Sequence, residues 1–528
     1  MIHDLNASPD YVNKTSAEVC IIGAGVAGIF LAKLLRQRGV AVTLIECGNT
    51  TSQTPAQKDE YCEKKGSNYR GAENGRAFGL GGTSSLWGGQ MIPLSESDFS
   101  ARPKISFPSW PVDYDDIARF FPVVSSMVGI HVNGSEDRKV AKVKFPFLSD
   151  FSENFGLRLS SWIPFGSRNF SIAFSRDLKT DKGLDVWLNA AVVEMCSQNG
   201  DGRVTEVVSK SPNGRELRVQ PEYLVIAAGA LESTRLLLSY DEAMDGIITR
   251  SGAPLGQFFA DHLSMTCARF HCKNRIAFNK QVAPIFDRGI MRTPRLELSK
   301  HAQEKYHLSS AFSHFTFITH GHTGFDLVRS ILRRLQGERG ELDFKPSKLI
   351  KAVIDIFFMM VWRYLFKRLW IPRDAELLMQ IDIEQLPNRN SRLHLSNERD
   401  SFGRKRLVVD WQVGARDIAI IKRVANLAIA GWKTSPLQTF ADIQVMIPDD
   451  LDSLSNLYDV YHPTGTIRMG RRPSDSVIDR DLRLWASDNC YVTTTAVFPS
   501  SGSANPGMTH LALTARLAEH LAGRLRAL

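Results

Sequence analysis

The strongest structural signal in the chain is Val19-Cys20-Ile21-Ile22-Gly23-Ala24-Gly25-Val26-Ala27-Gly28, an apolar run followed directly by a G-x-G-x-x-G turn. The apolar run predicts a buried strand of a parallel sheet. Residues 29–38 predict a helix that ends at Gly39, and residues 40–45 predict a second strand with Glu46 at its end. Strand, turn, helix, strand and acidic residue together predict a dinucleotide-binding βαβ unit.

Each marked residue of this unit has a physical task. Gly23 permits the tight turn, Gly25 lets the backbone approach a pyrophosphate, and Gly28 lets the helix pack closely on the strand. The helix N-terminus offers N–H groups to the phosphates, and we expect Glu46 to accept hydrogen bonds from a ribose. The unit alone fits FAD or NAD, and its place at the N-terminus without a matching later half favours FAD.

Length and charge limit the classes of function. The chain has 528 residues, enough for two or more domains, and its hydrophobic content of 43% is ordinary for a globular protein. The net charge is +9, and residues 326–373 alone hold 11 Lys/Arg against 5 Asp/Glu. Since the rest of the chain is nearly balanced, we expect no nucleic-acid partner.

The cysteines and the N-terminal segment give information on the cellular compartment of the protein. The seven cysteines fit no metal-binding spacing, so we predict no metal site, and scattered free thiols favour a reducing compartment. Residues 1–15 are polar and lack an apolar secretion signal, and no apolar run reaches the length of a membrane span. We therefore expect a cytoplasmic protein. Export on the signal of a partner and a peripheral place at a membrane both stay open.

Further motifs follow the βαβ unit along the chain. A glycine-dense loop at residues 79–89 can wrap a planar ligand at close range. The others are WPVDYDDI (110–117), LVIAAGALESTRLL (224–237), EQLPNRNSR (384–392), HPTGTIRMG (462–470) and VFPSSGSANPGMT (497–509).

Taken in this order, from residue 17 to about residue 520, these motifs resemble those of the glucose–methanol–choline (GMC) oxidoreductases; residues 273–379 carry no motif of that family. The resemblance implies an α/β fold, α+β overall, with a Rossmann-like FAD-binding domain and a substrate-binding domain built on a mostly antiparallel sheet. The FAD-binding domain would comprise residues 1–100, 184–262 and 455–528, and the substrate-binding domain residues 101–183 and 263–454. Alternating stretches at residues 265–270 and 377–383 suit strands of the antiparallel sheet.

The resemblance also implies which residues contact FAD besides those of the βαβ unit. They are Gly82, Thr83, Ser84, Trp87, Gly88, Gly89, Val193, Ala228, Gly229, Thr495, Ala496, Asn505 and Pro506. Some family members bind FAD covalently through a histidine of the glycine-dense loop, and the corresponding position here is Leu86, so we expect non-covalent FAD. Thr494 stands where many members carry Asp.

Oxidising an alcohol requires the removal of a hydroxyl proton and of a carbon-bound hydride, and a flavin accepts the hydride. The resemblance implies that His462 takes the proton, because neutral histidine has a suitable pKa and asparagine cannot act as a base. Asn505 would hydrogen-bond the hydroxyl and the forming alkoxide. The structural alternatives are a capped turn histidine and a simple turn asparagine, and we expect His262 and His510 to be structural.

The resemblance implies oxidation of a CH–OH group, and the SGSANP form favours a sugar, glycoside or polyol as the small-molecule substrate. The alternatives are a bulky hydrophobic or amphiphilic alcohol at a membrane surface, the chemistry of a flavin monooxygenase or amine oxidase, and a non-catalytic flavin-binding subunit. Oxidase and dehydrogenase activity both stay open, as do O₂, a quinone and a protein as electron acceptor.

The segment 347–370 allows two interpretations. Its apolar and aromatic residues recur at helical spacing, and Lys and Arg mark the other side. It is either a substrate-domain helix packed on its sheet or a basic, aromatic-rich helix in peripheral contact with a membrane.

Overall fold

The computed structural model of the chain describes residues 1–58, 60–132, 134–197, 200, 202–319, 323–336, 349–448 and 457–527. The strands within these ranges are β1 (Ile2–Asp4), β2 (Val12–Ile22), β3 (Val42–Ile45), β4 (Glu63–Gly66), β5 (Gln90–Met91), β6 (Phe155–Trp162), β7 (Leu184–Leu188), β8 (Ala191–Cys196), β9 (Glu206–Lys210), β10 (Glu216–Ile226), β11 (His262–Cys272), β12 (Ile285–Asp287), β13 (Ile290–Leu298), β14 (Ala311–Ile318), β15 (Glu376–Glu384), β16 (Arg392–Arg399), β17 (Lys405–Trp411), β18 (Ala441–Val445), β19 (Tyr458–Asp459) and β20 (Cys490–Val492).

The helices are α1 (Val26–Arg36), α2 (Gly71–Asn74), α3 (Tyr114–Ala118), α4 (Phe121–Val128), α5 (Gly134–Lys144), α6 (Pro146–Ser149), α7 (Phe165–Arg168), α8 (Phe170–Ala173), α9 (Ser175–Thr180), α10 (Gly229–Ala243), α11 (Arg275–Val282), α12 (Lys300–Tyr306), α13 (Gly324–Leu335), α14 (Leu349–Tyr364), α15 (Ala415–Thr434) and α16 (Gly507–Arg526). Among the described residues, no helix has both the length and the hydropathy that are needed to cross a bilayer.

The first sheet is of the doubly wound type and contains the predicted βαβ unit. Its strand order is β1-β7-β3-β2-β10-β9-β8, and β20 pairs with β10 beyond the point where β9 ends its pairing. Strands β1, β7, β3, β2, β10 and β20 run parallel to their neighbours, whereas β8 and β9 form an antiparallel extension. The prediction of a Rossmann-like sheet is confirmed.

The βαβ unit forms for the reasons that the sequence suggests. Residues 19–22 of β2 and all of β3 are buried, as expected for strands covered on both faces. Helix α1 buries eight of its eleven residues and begins directly after Gly25, three residues earlier than predicted. Helix α16 packs on α1 and closes this side of the sheet with residues from the far end of the sequence.

The second sheet is antiparallel, as predicted for the substrate-binding part. Its strand order is β18-β11-β15-β14-β13-β6-β5, with β12 paired to β13 and β19 paired to β11. One face packs against α15, where Trp432 contacts Phe270 and Phe315. The register places His262, Ser264, Asp382, Glu384, His314 and Arg295 on the opposite face.

Candidate active site

A cavity of about 560 Å³ opens at the carboxyl ends of β2, β3 and β10. This is the edge at which parallel sheets bind nucleotides, and the volume is typical of ligand pockets. Fourteen predicted site residues line it: Gly23, Gly25, Glu46, Gly82, Thr83, Trp87, Gly88, Gly89, Ala228, Gly229, His462, Thr495, Asn505 and Pro506. The structure therefore brings residues from four distant parts of the sequence to one cavity.

Four predicted cofactor residues lie behind this lining. Gly28 lies beneath the glycine turn, where an added Cβ would be 1.9 Å from Gly23 O. Ser84 is buried and holds the glycine-dense loop, because its Oγ donates to Gly81 O at 2.5 Å and accepts from Phe170 N at 3.0 Å. Val193 lies beside the lining residue Val192, and Ala496 is buried next to Thr495.

The glycine turn and the glycine-dense loop form a cradle that fits a dinucleotide. Gly23 has φ +104°, and an added Cβ would lie 2.7 Å from Ala227 O. A Cβ on Gly82 would lie 2.9 Å from Gly25 Cα, so the two glycine segments touch. A Cβ on Gly25 would meet no protein atom within 4 Å and would project into open space beside the N-terminus of α1. The turn thus leaves room for pyrophosphate at the positive end of the helix dipole.

Glu46 joins the ends of three loops at the edge of the cavity. Its Oε2 accepts from Ala24 N at 2.9 Å, and its Oε1 accepts from Gly48 N and Gly79 N, both at 2.9 Å. The carboxylate therefore braces the glycine turn against the glycine-dense loop. Carboxylate oxygens accept more than one hydrogen bond each, so this bracing leaves acceptor capacity for a ribose hydroxyl.

A group of charged residues on the cavity wall was missed by the sequence analysis. Arg76, Glu232 and Arg404 line the cavity, and Glu232 is hydrogen-bonded to the buried Arg235. Burial raises the pKa of the Glu232 carboxyl, but Arg235 and Arg404 outweigh it and lower that pKa to about 2. The motif at residues 224–237 contained Glu232 and Arg235, yet only the tertiary fold brings Arg404 to them.

His462 and Asn505, the predicted catalytic pair, meet at the cavity. Asn505 Nδ2 lies 3.5 Å from His462 Nε2, although 43 residues separate them. Asn505 directly precedes the N-terminal end of α16, and His462 follows β19 in a loop. Burial, with a contribution from His262, lowers the pKa of the His462 imidazole to about 3. The ring is therefore neutral near pH 7, as a proton acceptor must be.

His262, which the sequence analysis expected to be structural, contacts His462 directly. The two Nδ1 atoms are 3.1 Å apart, and the rings are nearly perpendicular at 82°. This contact arises because β19 pairs with the start of β11, where His262 lies. In the sequence, the only indication of this contact was the dipeptide Asp261-His262 before an alternating strand.

Asp261 holds the loop that carries His462. Its Oδ2 accepts from His462 N at 2.7 Å and from the Tyr69 hydroxyl at 2.9 Å, and its Oδ1 accepts from Val460 N at 3.3 Å. Burial, followed by the neighbouring Asp459, raises the Asp261 pKa well above its usual range. The backbone of His462 is thereby fixed from the side opposite the cavity.

The polar face of the antiparallel sheet lies behind the histidine pair. Asp382 accepts from Ser264 Oγ at 2.6 Å and lies 3.3 Å from His314 Nδ1 and 3.5 Å from Arg295. Arg295 also donates to Gln90 Oε1 at 2.8 Å, and Gln90 lines the cavity. This wall is therefore built from charged and hydrogen-bonding side chains that are themselves buried.

His510 also lines the cavity, from the first turns of α16. Its Nε2 is buried and has no hydrogen-bond partner within the part of the chain that the structure describes. Burial lowers the pKa of this imidazole to about 4. His510 thus adds a neutral ring to the cavity wall near Asn505.

Comparisons with known proteins agree with this geometry. Residues 387–514 match the GMC oxidoreductase family, and residues 16–64 match the FAD binding domain. The chain is 22% identical to the fructose dehydrogenase large subunit of Gluconobacter japonicus, over 97% of this chain and 99% of that protein. It is 21% identical to the 6'''-hydroxyparomomycin C oxidase of Streptomyces lividus, over 96% of this chain and 92% of that protein.

Among solved structures, pyridoxine 4-oxidase from Mesorbium loti has the same fold, with a TM-score of 0.62 at 16% identity over 96% of this chain and 99% of that one. The two matched segments contain the glycine turn and the loops of His462 and Asn505, respectively. GMC oxidoreductases oxidise alcohol groups of sugars and similar substrates with FAD. The chain therefore contains a GMC oxidoreductase domain at residues 387–514 and an FAD-binding domain at residues 16–64, and it is an FAD-dependent oxidoreductase.

Proposed function

We propose that the protein oxidises a hydroxyl group of a sugar, glycoside or polyol, with His462 as the base. The observation that carries this proposal is the meeting of His462 Nε2 and Asn505 Nδ2 at 3.5 Å on the wall of the nucleotide cavity. A neutral imidazole beside an amide is suited to remove a proton from a hydroxyl group and to hold the oxygen that results.

The tautomers of the two histidines follow from their contact. When both rings are neutral, a short Nδ1–Nδ1 contact requires one donor and one acceptor. With the proton on His462 Nδ1, His462 donates to His262, and its unprotonated Nε2 faces the Asn505 amide as an acceptor that a substrate hydroxyl can engage in place of the amide. His462 Nε2 then accepts the substrate proton, and the Asn505 amide donates to the alkoxide oxygen. Bound FAD supplies the acceptor for the hydride.

The polar sheet face supports a polyhydroxylated substrate over a bulky apolar one. Gln90 on the cavity lining is hydrogen-bonded to Arg295, and Asp382 and His314 lie close behind. A cavity wall with polar side chains favours a hydroxylated ligand, which can form hydrogen bonds there, over an apolar ligand, which cannot. One relative is named for fructose, which is such a substrate.

We further propose that FAD is bound without a covalent link to the protein. Leu86, the position expected for a linking histidine, lines the cavity and offers no nucleophile. Acid denaturation of the yellow protein should therefore release all flavin into the supernatant. Flavin that stays with the precipitated polypeptide would contradict this.

The proposed division into domains follows most strands of the two larger sheets; the exceptions are β5 and β19, which lie in the FAD-binding ranges but pair in the antiparallel sheet, and a third sheet of β16, β17 and β4 spans the division. Strands β1–β3, β7–β10 and β20 lie within residues 1–100, 184–262 and 455–528, the proposed FAD-binding domain. Strands β6, β12–β15 and β18 lie within residues 101–183 and 263–454, the proposed substrate-binding domain. Strand β11 begins at His262, so the boundary falls next to the histidine pair.

The test of the proposed function is anaerobic bleaching of the flavin by a panel of sugars, polyols and aliphatic alcohols. We expect a sugar or polyol to bleach the protein, and His462→Ala to slow bleaching by about 10²- to 10⁴-fold with FAD content unchanged. The control is His271→Ala. His271 is an exposed residue of β11 that hydrogen-bonds to Gln444 of β18, and its alanine variant should behave as the unsubstituted protein. Bleaching only by apolar alcohols, amines or NADPH would refute the proposal.

A further inference from the structure

Helix α14 carries a stripe of large apolar side chains that face solvent. Ile350 is 78% exposed and Phe357 57%, and Leu365, just after the helix, is 73% exposed. The full exposed stripe comprises Ile350, Val353, Ile354, Phe357, Phe358, Met360, Tyr364, Leu365 and Phe366. Most of these positions recur at intervals of three and four residues and therefore form one side of the helix.

The exposure of this stripe argues against the interpretation of the segment 347–370 as a helix packed on the antiparallel sheet. The side of α14 that packs inward carries Ala352 and Trp362, and α14 packs chiefly against α13 rather than the antiparallel sheet. Residues 347 and 348 lie outside the described residues. A continuous run of exposed aromatic and aliphatic side chains marks an interaction surface, because isolated apolar residues are normal and contiguous ones are rare.

Cations border the stripe. Arg363 and Lys367 are exposed on or next to α14, Lys351 is exposed but paired with Asp374 at 2.5 Å, and Lys280 lies over the Phe366 ring at 5.7 Å. The only acidic residue of the helix, Asp355, accepts from Gly324 N at 3.0 Å and so belongs to the contact with α13. An apolar stripe bordered by cations complements the acyl chains and the anionic headgroups of a lipid surface.

We propose that α14 docks the protein on an anionic membrane surface, with the stripe in the boundary between headgroups and acyl chains. A second copy of the chain fits this surface poorly, since a two-fold interface would place the same cations opposite each other. The proposal concerns location and stands whether or not the proposed substrate is right.

The docking surface is connected to the flavin cavity. Gln336 ends α13, and its Nε2 donates to Trp87 O at 2.9 Å and to Ser84 O at 3.2 Å. Asn169 Nδ2 donates in turn to Gln336 O at 2.9 Å. Because α14 packs on α13, the docking helix is joined to the glycine-dense loop through α13 and Gln336.

The experiment is sedimentation of the purified holoprotein with phosphatidylcholine vesicles, with and without phosphatidylglycerol. We expect binding to the anionic vesicles that weakens as salt rises, and little binding to the neutral ones. The double variant Phe357→Ser/Leu365→Ser should bind at least about tenfold more weakly, because two large apolar side chains that would insert among the acyl chains are replaced by small polar ones. Val143→Ser, at an equally exposed valine on α5, is the matched control and should bind as the unsubstituted protein.

Two results of the vesicle experiment would overturn the proposal. One is an absence of binding to anionic vesicles at low salt, and the other is equal binding by the double variant. A stripe-dependent dimer, detected as a doubling of mass that the double variant abolishes, would also overturn it and would assign the stripe to a second copy. The flavin spectrum and far-UV circular dichroism verify that each variant is folded.

Discussion

The Nδ1 atoms of His462 and His262 lie 3.1 Å apart, so the protonation of one ring dictates that of the other. The two residues are far apart in the sequence, and the pairing of β11 with β19 brings them together. Because His262 is not among the described residues that line the cavity, we propose that it positions His462 and does not itself contact the substrate.

The first prediction tests whether His262 orients His462 through a hydrogen bond or only fills space. His262→Asn retains an acceptor near the place of Nδ1, whereas His262→Leu removes it. We expect kcat to fall roughly 10- to 100-fold in the leucine variant with little change in KM, and the asparagine variant to recover most of the loss. Steady-state kinetics on the best substrate of the panel measures both. Equal losses in the two variants would show that His262 only fills space.

The second prediction concerns pH. His462 works as a base only when neutral, so activity is lost as pH falls through its pKa, and burial together with His262 lowers that pKa to about 3. Between about pH 8 and about pH 5, kcat/KM should therefore stay level, whereas a histidine with the usual pKa would lose half its activity near pH 6.5. Anaerobic stopped-flow reduction across this range tests it, and a midpoint near 6.5 would refute it.

The third prediction concerns the buried charges of the polar sheet face. Asp382→Asn removes the countercharge of Arg295, which lies 3.5 Å away and is buried. We expect the apoprotein to lose about 3–5 kcal/mol of stability, because an uncompensated buried charge costs that much. Thermal and urea unfolding measure the loss. Glu519→Gln, in the exposed pair with Arg119, is the control and should change stability by less than about 1 kcal/mol.

The fourth prediction compares two glycines of the same turn. Gly25→Ala adds a methyl that meets no protein atom within 4 Å, so the apoprotein should unfold at an unchanged temperature and bind FAD far more weakly. Gly28→Ala places a Cβ 1.9 Å from Gly23 O, so it should destabilise the apoprotein itself. Titration with FAD and differential scanning calorimetry distinguish the two. A destabilised Gly25→Ala apoprotein would mean that the turn lacks the open space ascribed to it.

Local signals predicted the βαβ unit, and the family resemblance pointed to His462 and Asn505, the proposed catalytic pair. The apolar residues 19–22 and the glycine spacing predicted strand and turn, but β2 extends back to Val12 because its outer half pairs with β10 far along the chain. Helix α1 starts earlier than predicted because Gly25 already serves as its N-cap. Such shifts come from tertiary pairing, which local periodicity does not contain.

The polar sheet face could not be predicted in the same way. Alternating polar residues such as Asp382 and Glu384 ordinarily indicate a strand with one face in water. Here both carboxylates are buried, because Ser264, Arg295 and His314 satisfy the first and Arg102 and Gly502 N satisfy the second. Their partners lie on other strands and loops, so the alternation around residue 383 does not reveal that this face of the sheet is buried.

The packing of α16 on α1 has a consequence for biosynthesis. A ribosome that adds about 5–20 residues per second completes α1 early and supplies α16 only after tens of seconds. Throughout that interval the nascent nucleotide-binding half exposes the apolar side of α1 and lacks both β20 and the histidine–asparagine pair. We therefore expect this half to acquire its native packing, and its capacity for flavin, only once α16 has emerged from the ribosome, with chaperones shielding α1 until then.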